Sequence, residues 1–290
     1  MLPSDGHEIS SRGSPTSRAG APALVWLLAA ACGAPGDASG APRVASSAPR
    51  LEEACRPSAS RDDRLTEIGP RGELRLASGR RAVLSGLRWP DEPALDAAAR
   101  TWLHAFRGAP LVLTERGGED RWGRHRADAV GIAGEAEPID LAGGLVAAGL
   151  AYADAGEADT LCRPALRAVE AAPRAAGLGL WAGGPLAATD AAALSGRAGR
   201  FTVVEGRILH VGERSARTYL DFARRGEQGL TVTVQKRSWR ILSEHGLSAA
   251  TLKGRLVRIR GMVEIGRGPF IDLGGVDGIE VIEGERALRR

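Results

Sequence analysis

The chain has 290 residues, 43% of them hydrophobic, and carries 39 lysines and arginines against 35 aspartates and glutamates, a formal net charge of +4. That length accommodates about two domains, and that apolar content is enough to build their cores, which excludes a wholly disordered chain. No pair of its five histidines and three cysteines stands at metal-ligand spacing, and neither a glycine-rich phosphate loop nor a Gly-x-Ser-x-Gly elbow occurs, so zinc, phosphate-loop and serine-nucleophile chemistry have no support.

The charge is unevenly divided. Residues 32–196 hold 19 basic and 22 acidic side chains, whereas 197–290 hold 18 and 11, so the basic surface is expected on the C-terminal part. Lys236 and Lys253 are the only lysines and asparagine is absent, a bias that reads as GC-rich coding and carries no argument about nucleic acid.

Residues 1–32 read as an export signal. Arg12 and Arg18 precede an apolar run from Ala21 to Ala31, far shorter than the roughly 20 residues a spanning helix needs. The run ends in Leu28-Ala29-Ala30-Ala31-Cys32, which resembles a bacterial lipoprotein cleavage box with Cys32 as the lipidated residue; ordinary secretion with cleavage nearby is the alternative. Residues 33–62, rich in Gly, Ala, Pro and Ser, read as a flexible tether. With Cys32 removed from the count, Cys55 and Cys162 remain as an even pair in an oxidising compartment, and a disulfide between them is expected; two separate buried thiols are the alternative.

A first domain is expected over 63–182. Glu73 to Leu76 and Ala82 to Leu87 read as a pair of strands around the Ser78-Gly79-Arg80 turn. Leu95, Ala98, Ala99, Trp102, Leu103 and Phe106 recur at helical spacing. Val112 to Thr114 supplies a further strand. Then comes Gly118-Glu119-Asp120-Arg121-Trp122-Gly123-Arg124-His125: an acidic turn, an aromatic, a glycine for the tight bend and an arginine aimed from it, before an alternating strand to Val130. Helices over Leu141–Leu150 and Thr160–Ala175 follow, the second shortened or kinked by Pro164 and Pro173, and Gly179-Leu180-Trp181 closes the unit.

This turn resembles the Asp-basic-aromatic-Gly-Arg segment of the thermonuclease (staphylococcal nuclease-like) family, and the element order, Leu145 to Ala151 and the final Gly-Leu-Trp resemble it too. The resemblance implies a five-stranded OB-type barrel and phosphodiester hydrolysis with calcium, in which Arg124 faces the phosphate. The remaining site has degenerated: Pro70-Arg71-Gly72-Glu73 lacks the family's metal aspartate, with Glu73 one position off. Val83 replaces the second arginine, Arg88 replaces a metal aspartate, and Asp91, with Glu92 beside it, stands for the water-handling glutamate. A lost phosphate-facing arginine costs on the order of 3–4 kcal/mol of transition-state stabilisation, and a fixed cation at Arg88 opposes a calcium ion. Nuclease activity is therefore expected to be absent or very weak, leaving Arg124 to pack on Trp122 or pair with a carboxylate such as Asp120. Phosphate contact is the alternative.

After a linker at 183–199 with a helical turn near Asp190, a β-rich second domain is expected at 200–283, with a tail at 284–290. Strands over Phe201–Val211, Thr218–Phe222 and Leu230–Val234, a helix near Ser238–His245, and strands over Arg255–Ile265, Pro269–Leu273 and Ile279–Ile282 suggest a second OB-like barrel. The predicted fold class is thus mainly β with helices. Arg258 and Arg260 fall on one strand face, which Arg224, Arg225, Lys236, Arg237 and Arg240 could extend, with Tyr219 or Phe222 to stack on a base. A solvated face with its aromatics in the core is the alternative.

The sequence therefore suggests an exported, monomeric, periplasmic or lipid-anchored envelope protein that binds or scaffolds without catalysis. Its partner would be an envelope component or, on the C-terminal domain, an anionic polymer or single-stranded nucleic acid. No cofactor is expected. The rival readings are a divergent nuclease using Arg124, Asp91 and Glu92 with calcium, and a nucleic-acid-binding module.

Overall fold

The computed structural model describes residues 55–132, 137–156 and 161–282. The expected export signal, Cys32, the tether through residue 54 and the tail lie outside the described residues.

The first unit begins with a strand that the hydrophobic pattern does not announce. In β1 (Arg61–Ile68) only Leu65 and Ile68 are buried, and its register slips by one residue between Leu65 and Glu67, so no simple alternation survives. Next come β2 (Leu74–Leu76), β3 (Arg81–Leu84), β4 (Leu87–Arg88), helix α1 (Pro93–His104), β5 (Pro110–Glu119) and β6 (His125–Gly131). Antiparallel ladders join β1 to β2, β2 to β3, β1 to β5 and β5 to β6. A parallel ladder, with Ala82, Val83 and Leu84 opposite His125, Arg126 and Ala127, closes the ring. The result is a closed five-stranded, OB-like barrel. Leu74, Leu76, Leu84, Leu111 and Leu113 fill it, and the small Ala127 and Ala129 on β6 leave them room.

Residues 57–60, read from the sequence as part of a flexible tether over 33–62, are instead edge-pairing chain, and β1 already begins at Arg61. The outer half of β5 carries ladder groups that β1 does not reach, and this segment satisfies them: Pro57 bridges Arg116 and the Ser58 N–H donates to the Glu115 carbonyl at 2.8 Å. Cys55 is fixed at the same edge by a disulfide to Cys162, 107 residues away.

α1 lays Ala99 and Leu103 on the barrel, with Trp102 and Phe106 in ring contact at 5.2 Å. After β7 (Ile139–Asp140), α2 (Leu141–Ala147) is capped by Asp140, whose carboxylate accepts from the Gly143 N–H at 3.1 Å. It ends earlier than expected because Gly149 turns left-handed (φ +69) against Gly179. The Leu180 N–H reaches the Gly149 carbonyl at 2.9 Å, and a Cβ at Gly149 would sit 2.5 Å from the Leu178 carbonyl oxygen. After β8 (Tyr152–Ala153), Pro164 sets the start of α3 (Ala165–Ala176), while Pro173 is tolerated in its last turn and Gly177 terminates it.

The linker holds a strand as well as the expected helical turn: β9 (Leu186–Ala187) precedes α4 (Ala191–Ser195), which Asp190 caps. The second unit comprises β10 (Phe201–Arg207), β11 (His210–Glu213), β12 (Arg217–Asp221), β13 (Thr231–Gln235), α5 (Lys236–Glu244), α6 (Ala249–Leu252), β14 (Leu256–Met262), β15 (Glu264–Ile265), β16 (Pro269–Leu273) and β17 (Ile279–Val281). Its strands form a four-stranded sheet, β17-β14-β10-β9, and a five-stranded sheet, β11-β12-β13-β16-β15, in which β13 and β16 run parallel. Val204, Leu220, Phe222, Val232, Trp239, Val257 and Ile271 share the core between them.

All described residues belong to one compact body, and α3 joins its two β-structures along a shared seam. Glu170 of α3 is fully buried and pairs with Arg260 of β14 at 2.6 Å. The Arg167 guanidinium donates to the Asp277 carbonyl, and Tyr152 packs between Trp181 at 5.0 Å and Phe201 at 5.6 Å. Burial, with the Glu92 carboxylate adding to it, pushes the Tyr152 phenol up to about 12. Burial and the neighbouring Arg260 charge bring Arg167 down to about 10.

Candidate functional site

The turn between β5 and β6 is built by Asp120. Its carboxylate accepts from the backbone N–H groups of Trp122 at 2.9 Å and Arg124 at 3.0 Å, while its second oxygen takes the Arg124 Nε at 2.8 Å. Gly123 supplies the left-handed residue (φ +69) that lets the chain come back. Trp122 is about half exposed, with the Arg121 guanidinium 4.0 Å and the Arg124 guanidinium 4.7 Å from its ring, and Arg81 donates to the Trp122 carbonyl. Burial works to raise the Asp120 pKa, but Arg124 and the two N–H donors outweigh it and hold the carboxylate below its usual range. Arg124 therefore makes the two contacts that a structural role requires.

The other residues of the expected site are each bonded elsewhere. Asp91 pairs with Arg71 at 2.9 Å, and Arg71 is the non-glycine residue with positive φ (55°) among those described. Glu92 pairs across the seam with Arg197 at 2.6 Å. Glu73 is buried, 3.6 Å from Arg75. Val83 is half-buried in β3, opposite Arg126. Arg88 leaves the first barrel altogether: it donates to the Met262 sulfur at 2.8 Å and lies 5.2 Å from the Phe201 ring centre. Trp89 fills the space beside it, so closely that a Cβ on Gly72 would lie 2.3 Å from its ring, and its indole N–H donates to Asp96 at 2.6 Å.

These residues do not fit a calcium ion. Among the described residues no three His, Cys, Asp or Glu side chains gather as a metal-binding group, and Arg88, where a metal carboxylate was expected, holds the seam instead.

The expected basic face on β14 is corrected by the structure. Arg258 and Arg260 are 3% and 4% exposed. Arg258 bonds Glu205 at 2.8 Å and Glu280 at 2.9 Å, and Arg260 bonds Glu170. α3 sets the fully buried Glu170 against Arg260, while Glu205 of β10 and Glu280 of β17 hold Arg258, so both arginines are committed to carboxylates and are inaccessible to a ligand. Burial works to raise the Glu280 pKa, yet Arg258 and Arg260 together pull it below the usual range. Phe222 belongs to the core, whereas Arg237 is exposed on α5 and Tyr219 half-buried on β12.

Tyr219 instead opens into a groove of about 420 Å³ on the five-stranded sheet, which His210, Arg214, Asp221, Arg267 and Phe270 also line. Strand register sets them in rows: His210, Asp221, Thr231 and Phe270 are successive partners across β11, β12, β13 and β16, and Tyr219 shares the outward face of β12 with Asp221. Asp221 accepts from the Thr231 hydroxyl at 3.0 Å. Arg214 and Arg267, at opposite turns, are exposed and carry no ion pair with any described residue. The sequence signal for this site is weak: polar and aromatic residues alternating at Arg217, Tyr219 and Asp221, and Gly266-Arg267-Gly268 at a turn.

Compared with protein-family models and with curated protein sequences, the chain matches none.

Proposed function

We propose that this is an exported binding or scaffold protein of the bacterial envelope, built on a thermonuclease-like barrel that has lost catalysis and on a second, OB-like barrel. The observation that carries the reading is the double commitment of Arg124, to the Asp120 carboxylate and to the Trp122 ring, while Arg88 serves the seam. An arginine that stabilises a phosphoryl transition state needs free donors aimed at that charge. The parallel β13–β16 ladder, flanked by β11-β12 on one side and β15 on the other, supports the OB-like reading of the second unit. The Cys55–Cys162 disulfide supports an oxidising compartment, as expected beyond the cytoplasm.

Cleavage of single-stranded DNA and RNA by the purified protein, with calcium and with chelator, tests the reading. No cleavage in either condition is expected. Calcium-dependent cleavage that disappears in Arg124→Ala would overturn it in favour of a divergent nuclease working through Arg124, Asp91 and Glu92.

A further inference from the structure

We propose that the groove on the five-stranded sheet binds a short stretch of single-stranded nucleic acid and prefers guanine at the position facing Asp221. This rests on the non-catalytic reading above and gives the binding protein its ligand class.

Three observations carry it. First, Arg214 and Arg267 stand exposed and without an ion pair among the described residues, as Arg237 and Arg240 also do, but these two line the groove, one at each side. Planar forks left free at two turns suit two separated phosphates of one strand. Second, Tyr219 and Phe270 are half-buried with ring surface in the groove, and they stand on strands separated by β13. Two strand spacings across the sheet and a two-residue offset along it put them roughly 12 Å apart, too far to clamp one ring and suited to stacking separate bases of one chain. Third, Asp221 places a carboxylate among these cations, and only one of its oxygens is engaged, by Thr231. A carboxylate there repels a plain polyanion. It favours a ligand that brings N–H donors beside its phosphates. The guanine edge offers two adjacent N–H groups to the two oxygens, whereas thymine presents one N–H between two carbonyls, which the carboxylate repels.

The test is fluorescence anisotropy of the full chain with labelled (dGdT)4 and dT8, equal in length and charge, over a salt series. Binding of (dGdT)4 about tenfold tighter than dT8 is expected, the scale of one good bidentate base contact. Asp221→Asn, which keeps an acceptor for Thr231, should bring the two affinities together. Arg214→Gln with Arg267→Gln should weaken both oligonucleotides alike and flatten the salt dependence, and Tyr219→Ala should weaken both by about tenfold. These side chains are exposed or half-exposed, so unchanged circular dichroism and melting would verify the fold of each variant.

Absence of saturable binding at low salt overturns the proposal, as does binding that the arginine and tyrosine variants leave intact. Equal affinity for the two oligonucleotides overturns the base preference. Competition by an acidic polysaccharide or an anionic lipid vesicle as strong as by oligonucleotide reassigns the groove to that polymer or surface. Cleavage of the probe dependent on Arg124, by contrast, sinks the non-catalytic reading and leaves binding in the groove to be judged on its own variants.

Discussion

Arg260 and Glu170 lie 90 residues apart in sequence and meet at 2.6 Å, both side chains sealed from water, with Arg174 a further 3.7 Å from the same carboxylate. Taking one partner from a buried pair leaves an uncompensated charge and costs about 3–5 kcal/mol. Glu170→Ala should therefore lower the unfolding midpoint steeply. Because the pair joins the first barrel to β14, far-UV circular dichroism and tryptophan fluorescence should report one shared transition in the unaltered protein. Two well-separated transitions would mean that the seam does not couple the units.

The carboxylates predict opposite responses to pH. Glu280 is held below its ordinary value of 4.5, so its contribution is fully present above that value and is lost as pH falls through the lowered one. Glu280→Gln should flatten the acid limb of the stability curve. Asp154 is raised above its ordinary 3.8, mainly by burial and despite Arg88, so its ionisation costs stability as pH rises through its folded value. Asp154→Asn keeps an acceptor for the Gly156 N–H. It should stabilise the protein at neutral pH and lose that advantage below the ordinary carboxylate range, as denaturant titrations at several pH values would measure.

Reduction of the disulfide should be costly. It closes a loop of 107 residues, and in the chain-entropy account a loop of about 100 residues is worth roughly 4.7 kcal/mol. Cys55→Ser, or a reducing agent, should lower the guanidinium midpoint and release the edge segment beside β5 first. Faster proteolysis near residues 56–60 would report that release.

Asp120 should matter more than Arg124. Arg124→Ala removes a partly exposed ion pair and should cost less than about 1 kcal/mol. Asp120→Ala also orphans the N–H groups of Trp122 and Arg124 and should cost roughly 1–2 kcal/mol. Equal losses measured by thermal unfolding would show that the turn is held by the arginine.

Much of this fold is legible in the sequence, element by element. The strands of the second unit and helix α5 follow alternation and turn signals, and Pro164 marks where α3 begins, whereas the left-handed turn at Gly149 that ends α2 short of Leu150 is hidden in an apolar run. β1 escapes because its bulge and its charged residues break the alternation, and β9 because two residues in an Ala/Gly-rich linker show no period. The disulfide followed from counting cysteines, and the pairing of Arg124 with Asp120 from their placement four residues apart around a turn.

Arg258 and Arg260 mark where that legibility stops. Alternation fixes that they share a face of β14, because side chains along a strand must alternate. Whether that face meets water was decided by what packs on it: Glu170 of α3, 90 residues earlier in the chain, meets Arg260, and Glu205 of β10 and Glu280 of β17 meet Arg258. The same holds for the groove: β-periodicity sets Tyr219 and Asp221 on one side of β12, but only the parallel joining of β13 to β16 brings Phe270 and Arg267 alongside. Local sequence determined conformation and the choice of face, since both depend on neighbours along the chain. Tertiary structure decided which charges are buried and which remain free, since that depends on what packs against them.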